Sequence, residues 1–191
     1  MNIRSSSVAA LLLLLLHSQV ATGQTRDTAR GEFDRFSVQI GGGTLLNAGG
    51  HTVAAAFGFS PLPGLDLVVN VERDQLPSRR ETFSSGGFSV SRGGTLTLVS
   101  GEVRASLFPP NRVSPYVLAG IGAGVSRPTV NDLFPDPVEN DLRAAYVGGG
   151  VRVPIRSGFS VFGEARAMLA VEGGDGIMGV LPLRAGVWWR F

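Results

Sequence analysis

Apolar residues recur at every second position along most of the chain, and the residues between them are polar or small. Alternation with a period of two is the pattern of a β-strand that has one apolar face. Eight segments show it, and their apolar positions span Phe36–Ile40, Val53–Phe59, Leu65–Val71, Val99–Leu107, Val117–Val125, Ala145–Val153, Phe159–Leu169 and Leu183–Phe191. With their flanking residues these strands are about nine to twelve residues long, which is the length a tilted strand needs to cross a bilayer.

The connections between these segments alternate in length, because each odd-numbered connection is longer than its even-numbered neighbours. In chain order they run 43–50, 61–64, 74–94, 109–114, 127–141, 154–158 and 171–179. Outer-membrane barrels have long external loops at one rim and short periplasmic turns at the other. The sequence therefore predicts an all-β fold, an eight-stranded antiparallel transmembrane up-and-down β-barrel.

The polar faces of these strands carry acidic and arginine side chains. Eight strands enclose a lumen that side chains can fill, and an unpaired charge buried there is costly. We therefore predict a charge network in the lumen, in which the charges of the fourth and seventh strands meet through Arg152 or Arg184. Its predicted members are Glu102, Arg104, Arg152, Glu164, Arg166 and Arg184. In the alternative, these faces are the solvated side of a soluble sheet, but a soluble barrel or sandwich has no reason to sort its loops by length.

Residues 1–23 have the features of a cleaved secretory signal peptide. Arg4 precedes the apolar run Val8–Leu16, and small residues stand at Ala21 and Gly23. The run is about half the length of the roughly twenty apolar residues that a membrane-spanning helix needs. We therefore expect a barrel domain at 24–191 that works outside the cytoplasm.

The composition excludes several classes of protein. Charged residues make up 17% of the chain and glycine occurs 27 times, which is unusual for a soluble enzyme. The arginines are spread among acidic residues, so we expect no nucleic-acid partner. Without cysteine the chain has no disulfide, zinc–thiolate site, iron–sulfur cluster or thiol nucleophile.

Candidate catalytic and metal-binding residues are few, and none forms a recognisable motif. His51 is the only histidine outside the signal peptide, and no serine is placed beside it as serine hydrolysis would need. Asp132, Asp136, Glu139 and Asp141 match no calcium-loop template, so we interpret them as a solvated acidic loop. We therefore predict no enzymatic activity, no metal and no cofactor.

The glycine-rich segments 41–43 and 120–124 lack the Lys-Ser/Thr pair and the strand-to-helix context of a phosphate-binding loop. Glycine on the inner face of a narrow barrel leaves room for a larger side chain opposite. We expect that role for them.

The connection 74–94 has the pattern of a hairpin that extends beyond the membrane, since Ser85-Gly86-Gly87 separates two short β-prone runs. It would expose Arg79, Arg80 and Arg92 to lipopolysaccharide phosphates or to an external partner. A mobile polar loop is the alternative interpretation.

The segments 115–124, 148–152 and 185–191 resemble the outer membrane β-barrel domain family, the small OmpA- and OmpX-like barrels. The likeness covers the whole mature chain and contains no active-site motif. The family resemblance implies that Trp189 and Phe191 belong to the signal that the outer-membrane assembly machinery reads. Because no residue follows Phe191, we expect no peptidoglycan-binding domain.

These features predict a monomeric, non-enzymatic protein of a Gram-negative-type outer membrane. Its expected role is structural, or surface interaction through extracellular loops. Outer-membrane lipid, lipopolysaccharide and the assembly machinery are its expected partners. Two alternatives remain open: a small pore or carrier of hydrophobic ligands, and a lipid-modifying enzyme.

Overall fold

The computed structural model describes residues 35–82, 88–91, 93–108, 112–130, 139–173 and 176–191. The predicted signal peptide lies outside this part of the chain. Among the described residues, no helix is long and apolar enough to cross a bilayer.

The described residues form eleven β-strands. Their bounds are β1 Phe36–Leu45, β2 His51–Leu62, β3 Leu65–Leu76, β4 Arg79–Thr82, β5 Phe88–Ser91, β6 Gly94–Ser106, β7 Ser114–Pro128, β8 Asn140–Arg156, β9 Phe159–Glu172, β10 Gly176–Val180 and β11 Pro182–Arg190. All pairings are antiparallel.

Strand pairing closes the sheet into a barrel. β10 and β11 follow one another along β9, separated by Leu181, and together they form the eighth barrel strand. β11 then pairs with β1, and the backbone amides of Phe36 and Phe191 each donate to the carbonyl of the other residue, at 3.1 and 2.9 Å. The predicted eight-stranded antiparallel barrel is confirmed, and closure leaves its strands without an open edge.

The register fixes the tilt of the strands. A path that starts at Ser37 and steps to the cross-strand partner on each successive strand goes once around the barrel and reaches Val180. Because Leu45 pairs with Pro182, Val180 stands level with Asn47. The path therefore returns to β1 ten residues beyond its start, from 37 to 47. This shear corresponds to a strand tilt of about 40° for eight strands.

The connections separate into two rims. The turn rim carries the connections 63–64, 107–113 and 157–158, and the loop rim carries 46–50, 77–93, 129–139 and 173–175. The last connection is shorter than the predicted 171–179, because backbone pairing between β9 and β10 continues almost to the tip. Odd connections are nevertheless longer than their even neighbours throughout.

The longest connection contains the predicted hairpin. β4 and β5 pair from Arg79 with Ser91 to Thr82 with Phe88, and they form a two-stranded sheet of their own. The side chains of Arg79 and Arg80, and the whole of Arg92, lie outside the described part of the structure.

The barrel strands have an apolar outer face and a polar inner face, which is the reverse of the arrangement in a soluble protein. Large apolar side chains face outward, including Ile121 (72% exposed), and charged side chains face inward, including Arg104 (1% exposed). In the last strand, Trp188 is 1% exposed and its neighbour Trp189 is 54% exposed. An apolar belt around a polar interior suits a hydrocarbon solvent.

Candidate functional site

Three glutamates and three arginines meet in the middle of the lumen. We call Glu72, Glu102, Glu164, Arg104, Arg166 and Arg184 the central network. They come from β3, β6, β9 and β11, and each occupies an inward position of the period-two alternation. All six residues are buried.

Glu164 is the most heavily contacted carboxylate of the central network. The Nε atoms of Arg166 and Arg184 each donate to its Oε1 atom over 2.9 Å. The hydroxyl of Tyr116 donates to its Oε2 atom over 2.9 Å, and a guanidinium nitrogen of Arg104 lies 3.6 Å from the same oxygen. One carboxylate thus serves three guanidinium groups, which arginine's planar fork of donors permits.

The other two carboxylates complete the central network. Glu102 pairs with Arg104 on the same strand and with Arg166, whose Nη2 atom lies 2.8 Å away. Glu72 accepts from Arg184 at 2.9 Å and lies 3.6 Å from Arg166. The terminal nitrogens of Arg166 are close to their carboxylates but out of hydrogen-bond alignment, so these contacts are ion pairs. Three positive and three negative charges balance here.

Glu72 is a member of the central network that the predicted set omits. Its inward position is readable from the alternation, but the sequence does not show that β3 faces β9 and β11 across the lumen.

Arg152 occupies a different place from the one predicted. Its guanidinium carbon lies 4.6 Å from the ring centroid of Trp188, in a cation–π contact. Among the described residues, no carboxylate lies within salt-bridge distance of Arg152. Near the turn rim the ion pair is instead formed by Arg190 and Asp66, 3.0 Å apart, and Ser60 donates to Asp66 as well. Arg152 is therefore outside the central network. The charges of β6 and β9 meet directly, since Arg166 lies 2.8 Å from Glu102 and Arg104 lies 3.6 Å from Glu164. Arg184 instead joins Glu164 to Glu72 of β3.

An apolar layer fills the lumen next to the loop rim. Its buried members come from five barrel strands: Leu45, Leu96, Leu98, Leu142, Ala144, Met168, Ala170 and Val180. Sequence reasoning missed this layer, because it assigned polar and small residues to the inner face. The signal was a change of polarity on the inward positions toward the loop end of these five strands.

Inward glycines make room for the tyrosines of the lumen. A Cβ atom at Gly120 would come within 2.5 Å of the ring of Tyr146, and one at Gly150 within 2.7 Å of the ring of Tyr116. The lumen of a narrow barrel has no space for both a tyrosine and an opposing methyl group at these levels.

Trp189 and Phe191 lie on the outer face of the barrel at the turn rim. The ring centroids of Trp189 and Phe191 are 5.0 Å apart, and that of Phe36 is 6.4 Å from Phe191. The role of Trp189 and Phe191 as an assembly signal stays a prediction.

The other candidate residues are separate from one another. His51 is exposed at the start of β2, and Glu139 pairs with Arg127 over 2.7 Å on an exposed surface. Asp132 and Asp136 lie outside the described residues. In the described part of the chain, no group of three histidine or acidic side chains could hold a metal ion.

Solved structures with the same architecture are known. The chain is 16% identical to Neisserial surface protein A (NspA), with a TM-score of 0.60, covering 82% of this chain and 97% of that one. It is 14% identical to the N-terminal β-barrel domain of Pseudomonas aeruginosa OprF, with a TM-score of 0.58 and coverages of 83% and 98%.

The chain has the fold of the small outer membrane β-barrels. A major outer membrane protein from Thermus thermophilus also shares it, with 17% identity, a TM-score of 0.51 and coverages of 82% and 98%. No protein-family profile matches the chain. No curated protein matches it in sequence. The resemblance expected from the sequence is thus confirmed at the level of the fold.

Proposed function

We propose that this chain is an outer membrane β-barrel protein without enzymatic activity, and that its role is structural or lies in surface interaction through the connections of the loop rim. The observation that carries the proposal is the filled lumen. The central network is buried, and the apolar layer lies between it and the loop rim. Because these side chains fill the interior, the outer face and the loops of the barrel remain available for a function.

The outer face supports the proposed location in lipid. Large apolar side chains are exposed on every barrel strand, and placing them in hydrocarbon removes that surface from water. At the loop rim the outward positions change to arginine at Arg73, Arg127 and Arg143. Guanidinium groups suit contact with lipopolysaccharide phosphates, which would lie at that level.

The loop rim supports the proposed surface role. The hairpin of β4 and β5 projects from the longest connection, where insertions and partner contacts are tolerated best. Arg79, Arg80 and Arg92 are our candidates for contact with an anionic surface or an external protein.

Epitope insertion tests the proposed orientation. A tag placed within 83–87 is expected to bind antibody on intact cells. The same tag in the 157–158 turn is the matched control and should bind only after the outer membrane is permeabilised. Labelling of both tags, or of neither, on intact cells would contradict the proposed orientation.

Conductance separates the proposed function from a pore. The filled lumen leads us to expect no single-channel steps when the purified barrel is inserted into planar bilayers. Steps that scale with the amount of folded protein would overturn the proposal in favour of a pore. Mass spectrometry of lipid A and phospholipids, with and without expression, should show no new product, and a new lipid species would identify an enzyme.

A further inference from the structure

Two connections of the turn rim expose arginines next to apolar side chains. In the connection 107–113, Phe108, Arg112 and Val113 are exposed, and at the end of β8 so are Ile155 and Arg156. The three apolar residues are each more than half exposed. We call these five residues the basic turn patch.

The register brings the two halves of the basic turn patch together. β7 and β8 pair up to the turn rim, where Ser114 stands opposite Arg152. Continued beyond the start of β7, this register places position 112 level with Pro154, two residues from Arg156. The two exposed arginines therefore lie on neighbouring parts of the rim.

Hydrogen bonds hold both connections in place. The backbone amide of Phe108 donates to the Ser114 hydroxyl over 3.3 Å, and that hydroxyl donates to the Phe108 carbonyl over 3.0 Å. In the other connection, the backbone amide of Arg190 donates to the Gly158 carbonyl over 2.7 Å. Gly158 has a φ of 73°, which glycine adopts without strain. The basic turn patch is therefore carried by two fixed turns.

Positive charge is not offset at the basic turn patch. The segments 105–115 and 153–159 contain no acidic residue. Among the described residues, the carboxylate of the turn rim is that of Asp66, which is buried and paired with Arg190. Arg112 and Arg156 thus have no anionic partner in the described part of the chain, and like charges side by side repel each other.

The apolar members of the basic turn patch favour a lipid over a soluble anion. The exposed face of β8 is apolar at Val151, Val153 and Ile155 and ends at Arg156. An arginine in that place stands where hydrocarbon gives way to headgroups. A lipid phosphate accepts from guanidinium groups while its acyl chains cover the apolar side chains. A zwitterionic headgroup brings a positive charge of its own, whereas an anionic headgroup brings only the charge that the arginines need.

We propose that the basic turn patch binds an anionic glycerophospholipid of the leaflet at the turn rim, with the guanidinium groups of Arg112 and Arg156 on its phosphate. The inference rests on the proposed location of the barrel in lipid. It is separate from the proposed role of the loop rim.

Trp189 is a natural reporter of the lipid at this place. A Cβ atom at Gly158 would lie 3.6 Å from the indole nitrogen of Trp189, so the indole is beside the 157–158 turn. The chain has two tryptophans, and the other one, Trp188, is buried in the lumen. Bromine on a lipid quenches tryptophan emission at short range, so the quenching measures which lipid is next to Trp189.

Lipid selectivity tests the proposal. The barrel is folded into mixed vesicles of phosphatidylglycerol and phosphatidylcholine in which one or the other lipid is brominated. We expect phosphatidylglycerol to be preferred roughly fivefold to thirtyfold at low salt, because each arginine near an anionic surface contributes about 1 kcal/mol. The preference should shrink as sodium chloride is added. Equal quenching by the two lipids would overturn the inference alone, whereas a barrel that inserts into neither lipid would overturn the proposed location and this inference with it.

Two double variants place the effect at the basic turn patch. Arg112→Gln/Arg156→Gln should abolish the preference, and it should fold because exposed substitutions change stability little. Arg112→Lys/Arg156→Lys is the matched control, since it keeps both charges and should keep most of the preference. Inorganic phosphate added at constant ionic strength should leave the preference unchanged. Displacement of the lipid by phosphate, or a preference that survives Arg112→Gln/Arg156→Gln, would contradict the assignment.

Discussion

Removing the charge of Glu164 is the sharpest test of the central network. Glu164→Gln keeps the shape of the side chain and leaves Arg104, Arg166 and Arg184 without the carboxylate that they share. Each of these guanidiniums is buried, with at most 3% of its side chain exposed. Breaking a buried ion pair by removing one partner typically costs about 3 to 5 kcal/mol. We expect a loss of stability in that range.

Equilibrium unfolding in urea, in the presence of lipid vesicles, measures this loss from the tryptophan emission. The matched control is Glu139→Gln, which removes a carboxylate from an ion pair whose side chains are 66% and 52% exposed. Exposed pairs contribute up to about 1 kcal/mol, so the control should unfold close to the wild type. If Glu164→Gln and Glu139→Gln unfold at the same urea concentration, the central network does not stabilise the barrel as we argue.

A double variant separates charge imbalance from a general loss of packing. Arg184→Gln removes one of the guanidiniums that Glu164 serves. The double variant Glu164→Gln/Arg184→Gln should therefore lose less stability than the two single variants together. Strict additivity would show that the two side chains act independently.

Three further predictions concern packing and assembly. Gly120→Ala should lower the free energy of unfolding by about 1 to 3 kcal/mol, because its Cβ atom would collide with the Tyr146 ring. Gly163→Ala is the control and should be neutral in the same urea assay, because a Cβ atom there would meet nothing within 4 Å. Leu142→Ala should cost about 2 to 5 kcal/mol, and a neutral result would show that the apolar layer is not tightly packed. Phe191→Ala should slow assembly in pulse-chase experiments in cells more than it destabilises the folded barrel, since one interfacial ring contributes a few kcal/mol at most. An unchanged assembly rate would show that Phe191 is not part of an assembly signal.

The amino-acid sequence by itself determined which way each side chain of the barrel points. Alternation with a period of two places Trp188 inward and Trp189 outward without reference to any other strand, because successive side chains of a strand lie on opposite faces. The same alternation, together with the lengths of the connections, predicted eight strands and the rim to which each connection belongs. The direction of each side chain is a local property, so one stretch of chain is enough to show it, and the strands and rims follow from comparing such stretches along the chain.

Only the tertiary structure decided which inward side chains meet. Closing eight strands with a shear of ten brings Arg104 to Gln39, 65 residues away, and Arg184 to Glu72, 112 residues away. It also leaves Arg152 on the face of an indole. A change of register would give the same inward faces different partners. The partners across a lumen depend on the shear of the whole barrel, which the sequence of one strand does not contain.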